Sequence, residues 1–325
     1  MMNFLKKRWF LIVLVGVILA GAACRRHAGL LPKSWSLATL FATMFCVGVT
    51  AELGALGRAI LNWRAAALSL AMTYAAAPLV ALGAGWVLFG TGSPLFPGCV
   101  LLGAASSTVS TAVVYTRNAR GNHNLSIVLS NVSTVAGVVL TPLMVAAVLA
   151  RSIPVRTGDM ILTLAAGILL PILLAQVVAR CFPGPVGRFK PAAGVLAQVG
   201  ILAIVFGSVV KTFAKGDSEF LARLPGASGL LVILALVVYI FLSRLSWAAA
   251  RRLGVAPADA VAVTYASAQK SLATTVVLAD TFFTPVAGLP IIIYHFVQLF
   301  HGSFDGDRLA RLAEGESPPA PVGRP

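Results

Sequence analysis

The stretch YASAQKSLATTVVLAD, Tyr265 to Asp280, places Ser267, Gln269, Lys270 and Ser271 in the middle of an otherwise apolar run. About half a chain earlier, AASSTVSTAVVYT, Ala104 to Thr116, places Ser106, Ser107, Thr108, Ser110 and Thr111 in the same kind of setting. Hydroxyls and an amide grouped in this way coordinate a small cation or hold a polar solute by hydrogen bonds. The hydroxyls alone fit a simpler role, as small residues that let helices approach closely in a membrane. Lys270 changes the balance. A lysine near the centre of a bilayer costs about 2.5–3.5 kcal/mol, and from there its stem is too short to reach either interface. It has to face a cavity or a partner, and the candidate acids Glu52, Asp259 and Asp280 all fall near the ends of apolar runs. A functional lysine is therefore favoured over a structural ion pair.

Other polar side chains lie in comparable places. Thr73, Ser126, Ser130, Asn131, Ser133, Thr134 and Thr141 form a polar wall beside Pro78 and Pro142, each of which should kink its helix near the middle. Some of these hydroxyls serve only to satisfy carbonyls that the prolines free. His295, in IIIYHFVQLFHGS, is a lone histidine within an apolar run. It suits a hydrogen-bonded packing role somewhat better than a place in a proton relay.

The elements that must position these residues follow from composition. Of the 325 residues, 58% are hydrophobic and 11% charged, which places the chain among integral membrane proteins. Ten apolar runs, near residues 9–24, 36–56, 65–89, 95–116, 124–150, 158–181, 192–213, 226–250, 257–280 and 284–304, are each read as a helix long enough to cross. Residues 305–325 are charged and then proline-rich, and read as a short disordered tail. The net charge of +15 comes from basic residues in twos and threes between apolar runs, which is the pattern of membrane orientation and not of nucleic-acid binding. Lysine and arginine favour, by roughly two to one, an arrangement with both termini in the cytoplasm. The first run also has the form of a signal peptide ending at Cys24, but the even division of the runs argues that it is retained. Cys24, Cys46, Cys99 and Cys181 stand singly and indicate neither a disulfide framework nor a zinc site.

The two polar-centred stretches occupy the fourth place in each set of five runs. The chain thus divides into a first repeat, 1–152, and a second, 153–304, forming one integrated membrane unit. An odd number of helices per repeat sets the halves in opposite orientations, and interrupted helices at matching places in inverted halves point to a transporter's binding site. No HExxH, GxSxG or phosphate-loop motif is present, so protease, esterase and ATPase readings have no chemical support and the chain is not read as an enzyme.

VSTAVVYTRNARGN, LSNVSTVAGVVLTPLM, SAQKSLA and LPIIIYHFVQLFHGS together resemble the bile acid:sodium symporter family, in particular the divergent branch typified by the seventh human member of solute carrier family 10 and its bacterial relatives. The resemblance runs to about Ser303 and implies an all-α membrane fold of ten helices in two inverted five-helix repeats. It implies a panel of helices 1, 2, 6 and 7, and a core in which broken helices 4 and 9 cross. It also implies alternating-access carriage of small organic, anionic solutes by a protein embedded in the lipid bilayer of a bacterial inner membrane, with sodium as coupling ion and no other cofactor. Oligomeric state stays open.

By the same resemblance a first sodium site falls on Ser110, Thr111, Ser126 and Ser130, and a second draws on Gln269 and Thr73. Two departures stand out. Tyr265 replaces the glutamate shared by both sites, and Lys270 replaces an asparagine. Losing a carboxylate while gaining an ammonium puts two like charges a few ångströms apart if sodium also binds, which costs several kcal/mol. Lys270 therefore stands in for one cation, attracts an anionic substrate or cycles a proton. Alternatives left open are proton-coupled or uncoupled transport on the same fold, and a membrane scaffold or regulator that transports nothing.

Overall fold

The computed structural model describes residues 2–32, 34–51, 62–150, 155–215 and 218–315. Glu52, the basic residues Lys33, Arg58 and Arg151, and the part of the expected tail from residue 316 onward lie outside the described residues. The helices are α1 (Met2–Ala23), α2 (Trp35–Thr50), α3 (Trp63–Phe89), α4 (Phe96–Ala104), α5 (Val109–Asn118) and α6 (His123–Leu149). After them come α7 (Thr157–Cys181), α8 (Pro183–Lys215), α9 (Ser218–Arg252), α10 (Pro257–Ala268), α11 (Leu272–Phe282) and α12 (Leu289–Gly315). Among the described residues, seven helical stretches are long and apolar enough to cross a membrane, and α2 and α11 are shorter apolar helices. The protein is an all-helical, multi-pass membrane protein.

Proline shapes two of the long helices. In α3 the turn Met72–Ala76 is wide, and the Ala77 N–H bonds back five residues to the Met72 carbonyl, immediately before Pro78. In α7 the turn Ala165–Leu169 is wide in the same way, with the Leu170 N–H on the Ala165 carbonyl immediately before Pro171. Proline has no N–H to give, so the residue before it takes a carbonyl one step further back and the helix continues with one acceptor left over.

α1, α2, α7 and α8 pack chiefly on one another, while α3, α4, α5, α6, α9, α10 and α12 form a second group. α11 touches both, resting against α2 and α8 on one side and α4 and α12 on the other. Burial separates lipid-facing from central elements. α7 exposes Leu162, Leu173 and Val177, and α9 exposes Val232, Ile233 and Val237. In α10 every residue from Ala260 to Ala268 is buried, as is every residue of α11 from Leu272 to Ala279. A helix apolar on all sides belongs in the middle of a bundle.

One expectation needs correction. Residues 305–315, read from their charge as part of a disordered tail, are the last turns of α12. Leu309 is fully buried and Ala313 nearly so in an apolar cluster that also holds Val261, Tyr265 and Leu129, and Asp305 is held by the Ser243 hydroxyl and by the Arg308 Nε at 2.9 Å. Composition registers the charges; helical spacing puts Asp305, Leu309 and Ala313 on one inward face.

Candidate functional site

α4 stops at Ala104 and α5 starts at Val109; α10 stops at Ala268 and α11 starts at Leu272. The extended segments between them lie antiparallel, with a single bridge pairing Ser107 and Lys270. The Thr108 N–H donates to the Gln269 carbonyl at 3.0 Å and the Ser271 N–H to the Ser106 carbonyl at 2.8 Å. Unwound backbone is tolerated at membrane depth only where protein satisfies it. Here the two breaks satisfy each other, and neighbours supply the rest. The Ser133 hydroxyl accepts the Ser107 N–H at 3.0 Å, the Thr141 hydroxyl donates to the Ala104 carbonyl at 2.7 Å, and the Tyr294 hydroxyl donates to the Ala268 carbonyl at 2.7 Å.

Gln298, on α12, completes the arrangement. Its Oε1 accepts the Lys270 N–H at 2.7 Å and its Nε2 donates to the Lys270 carbonyl at 3.1 Å, so one amide serves Lys270 as a neighbouring strand would. The same Nε2 lies 2.6 Å from His295 Nδ1. An amide nitrogen only donates, so Nδ1 accepts and the imidazole proton sits on Nε2, which is buried and has no partner among the described residues.

With its backbone fixed, the fully buried Lys270 side chain reaches two carbonyl oxygens, those of Thr73 and Ala105, each 3.1 Å from Nζ. Both acceptors are by-products of helix irregularity. Within α3, Thr73 has lost its usual donors, because the Ala77 N–H goes to Met72 and residue 78 is proline. Ala105 is the first residue of the break, at φ −63° and ψ 135°. They converge because residue 103 is glycine, where a Cβ would stand 2.8 Å from the Pro78 Cα. None of the acids considered from the sequence meets Lys270 among the described residues. Asp259 accepts from Asn122 Nδ2 at 2.7 Å, and Asp280 is engaged by Ser36, Ser208 and Lys211.

The remaining candidates divide. Thr111 donates to Gln269 Oε1 at 2.9 Å and Gln269 Nε2 donates to the Gln298 carbonyl at 3.2 Å, so Thr111, Gln269, Lys270 and Gln298 form one connected group. Ser107 and Ser130 share a hydrogen bond of 3.1 Å on its flank. Among the described residues the buried hydroxyls of Thr73 and Ser126 and the Asn131 Nδ2 have no partner. Ser110 is exposed, with a 3.5 Å contact to the Thr108 hydroxyl, while Ser126 and Ser130 are fully buried.

Ser267 donates to the Val263 carbonyl of its own helix at 2.7 Å, and Ser271 to the Thr274 hydroxyl at 3.1 Å. Ser106 contributes its carbonyl, bonded by the Ser271 N–H. Tyr265 stacks on Tyr115 and donates to the Gly302 carbonyl at 3.1 Å, away from Lys270. Gln298, Tyr294 and Tyr74, whose hydroxyl donates to the Ser133 carbonyl at 2.6 Å, are not among the residues that the sequence points to, whereas Ser133 belongs to the polar wall expected there. Gln298 was discoverable as the second polar residue, three on from His295, in the run IIIYHFVQLF.

Comparison with known proteins identifies the family of the chain. The model of the SBF-like CPA transporter family matches residues 8–311. An uncharacterised protein of Pseudomonas aeruginosa is 30% identical over 261 residues, 77% of this chain and 76% of its own length. The sodium/bile acid cotransporter 7 of Rattus norvegicus is 25% identical over 218 residues, 64% of this chain and 63% of its own length. The putative symporter YfeH of Escherichia coli is 25% identical over 252 residues, 73% of each chain. The last two relatives are named as a cotransporter and a putative symporter, and the chain, matched over almost its whole length, belongs to the SBF-like CPA transporter family, a divergent branch of the bile acid:sodium symporters, and is a transporter and not an enzyme.

Proposed function

We propose that this protein carries small organic anions across the membrane by alternating access at the crossed breaks, with Lys270 providing a built-in cation at the crossing. The observation that carries the reading is the ammonium seated on the Thr73 and Ala105 carbonyls with no acid beside it among the described residues. Backbone carbonyls freed at helix breaks otherwise coordinate an alkali cation. Two carbonyl dipoles leave a buried charge incompletely compensated, and an incoming carboxylate or sulfonate supplies the balance. In this reading α4 with α5, and α10 with α11, each complete one crossing, giving ten in two inverted five-helix halves, with both termini in the cytoplasm of a bacterial inner membrane.

Sodium at Ser110, Thr111, Ser126 and Ser130 is a second reading, supported by the Ser126 hydroxyl, which has no partner among the described residues. Against a complete set stand the exposure of Ser110 and the engagement of Thr111 with Gln269 and of Ser130 with Ser107. Uptake of a panel of organic anions into proteoliposomes, with and without a sodium gradient and across pH, separates the readings. Built-in cation transport predicts uptake that survives sodium removal in the native chain and is lost in Lys270→Met. Uptake abolished by sodium removal would establish sodium coupling, and unchanged uptake in Lys270→Met would remove the lysine from the mechanism. No uptake of any solute, with a phenotype in cells that survives Lys270→Met, would favour a scaffold.

A further inference from the structure

A second buried charged cluster lies away from the crossing, at the far end of α11. Asp280, with a side chain only 2% exposed, accepts the Ser36 hydroxyl of α2 at 2.8 Å on Oδ2 and the Ser208 hydroxyl of α8 at 2.8 Å on Oδ1. Lys211 of α8, 18% exposed, stands 3.4 Å from the same Oδ2 and 3.1 Å from the Ser36 hydroxyl. Every donor comes from the α1, α2, α7 and α8 group, and the acceptor comes from the helix that leaves Lys270. The two donor helices are firmly joined. Trp35 Nε1 donates to the Ala203 carbonyl at 3.1 Å, and a Cβ on Gly207 would stand 2.6 Å from the Trp35 ring.

We propose that Asp280, Ser36, Ser208 and Lys211 form a gate that closes the Lys211 end of the crossing by fastening α11 to the α2–α8 pair. The chemistry suits repeated opening. An apolar contact is lost outright when two surfaces part, whereas a carboxylate, an ammonium and two hydroxyls exchange each other for water. Lys211 is the most exposed of the four and forms the open edge of the cluster. With the gate shut, Ser208 also lies under the turn Pro285–Gly288, where a Cβ on Gly288 would stand 3.2 Å from its hydroxyl, so α8 covers the entry to α12 as well. Release of Asp280 frees the last turn of α11 from α2 and α8 while Lys270 stays anchored to Gln298, and the α11 end swings clear of the crossing.

This inference rests on the transport reading for its purpose but not for its test. Hydrogen exchange of the full chain in lipid nanodiscs, followed by mass spectrometry, reads the gate without a substrate. Asp280→Asn and Lys211→Met are each expected to speed exchange about tenfold or more in residues 269–282, the start of α2 and the end of α8. Exchange in α9, α10 and α12 stays as in the native chain. Unchanged exchange in residues 269–282, the start of α2 and the end of α8, or faster exchange spread evenly over all helices, overturns the gate. If Asp280→Asn does not fold, Lys211→Met, which leaves the carboxylate its two hydroxyl donors, decides by the same criterion. Local opening in a protein that takes up no solute upholds the gate and removes the transport reading; uptake with no local opening does the reverse.

Discussion

At the scale of single residues the site turns on two long side chains that satisfy backbone. Gln298 pairs the N–H and the carbonyl of Lys270, and Lys270 pairs the carbonyls of Thr73 and Ala105. Each buried group left without a partner costs about 1–3 kcal/mol. Gln298→Leu leaves two such groups and also frees His295 Nδ1, so a loss of roughly 2–6 kcal/mol is expected in denaturant unfolding in detergent. Gln298→Glu keeps the acceptor for the Lys270 N–H and loses the donor for its carbonyl, so it should fall between the native chain and Gln298→Leu. Equal unfolding midpoints for all three would show that the clamp carries no stability.

At the scale of elements, the ammonium site depends on a wide turn and a close helix approach. Pro78→Ala gives residue 78 an N–H, which offers the Thr73 carbonyl a donor within α3 and so competes with Lys270. An isolated helix would gain from this change; here the expected result is a fall in uptake with unfolding stability altered by no more than about 1 kcal/mol. Gly103→Ala acts on the same pair from α4. Its Cβ would stand 2.8 Å from the Pro78 Cα and 3.1 Å from the Ala81 Cβ, both in packed surroundings. Overpacking of this kind costs about 1–3 kcal/mol and parts the two carbonyls, so stability and uptake should fall together. A Gly103→Ala protein with native uptake and midpoint would show that α4 has room to move.

At the scale of the whole molecule, the end of α12 ties the second group together from outside the crossing. Leu309 is fully buried against α10, and Asp305 reaches Ser243 of α9. Leu309→Ala should cost about 2–5 kcal/mol, measured as a lower unfolding midpoint. A chain ended after Phe304 should be recovered from the membrane in far smaller amount than the full chain. Recovery and thermal stability equal to the full chain would mean that the last turns of α12 only rest on the bundle.

The order of apolar runs and the places where polar residues interrupt them were legible from the sequence, because membrane burial writes a long one-dimensional signal. The pairing of AASSTVSTAVVYT with YASAQKSLATTVVLAD identified the two segments that the tertiary structure hydrogen-bonds together. The oddity of Lys270 was legible too, since its cost at membrane depth does not depend on the fold. Its partners were not. The sequence offered three acids and the ammonium sits on two carbonyls, acceptors that every residue possesses and that become available only when a wide turn before Pro78 and a helix break after Ala104 are brought side by side. Asp280 is the converse case: its type was visible in the sequence as a possible partner for Lys270, but only packing of α2, α8 and α11 gave it Ser36, Ser208 and Lys211 instead. Sequence alone thus determined which groups are costly to bury. Tertiary structure decided what compensates each of them, because compensation is set by contacts between helices distant in the chain.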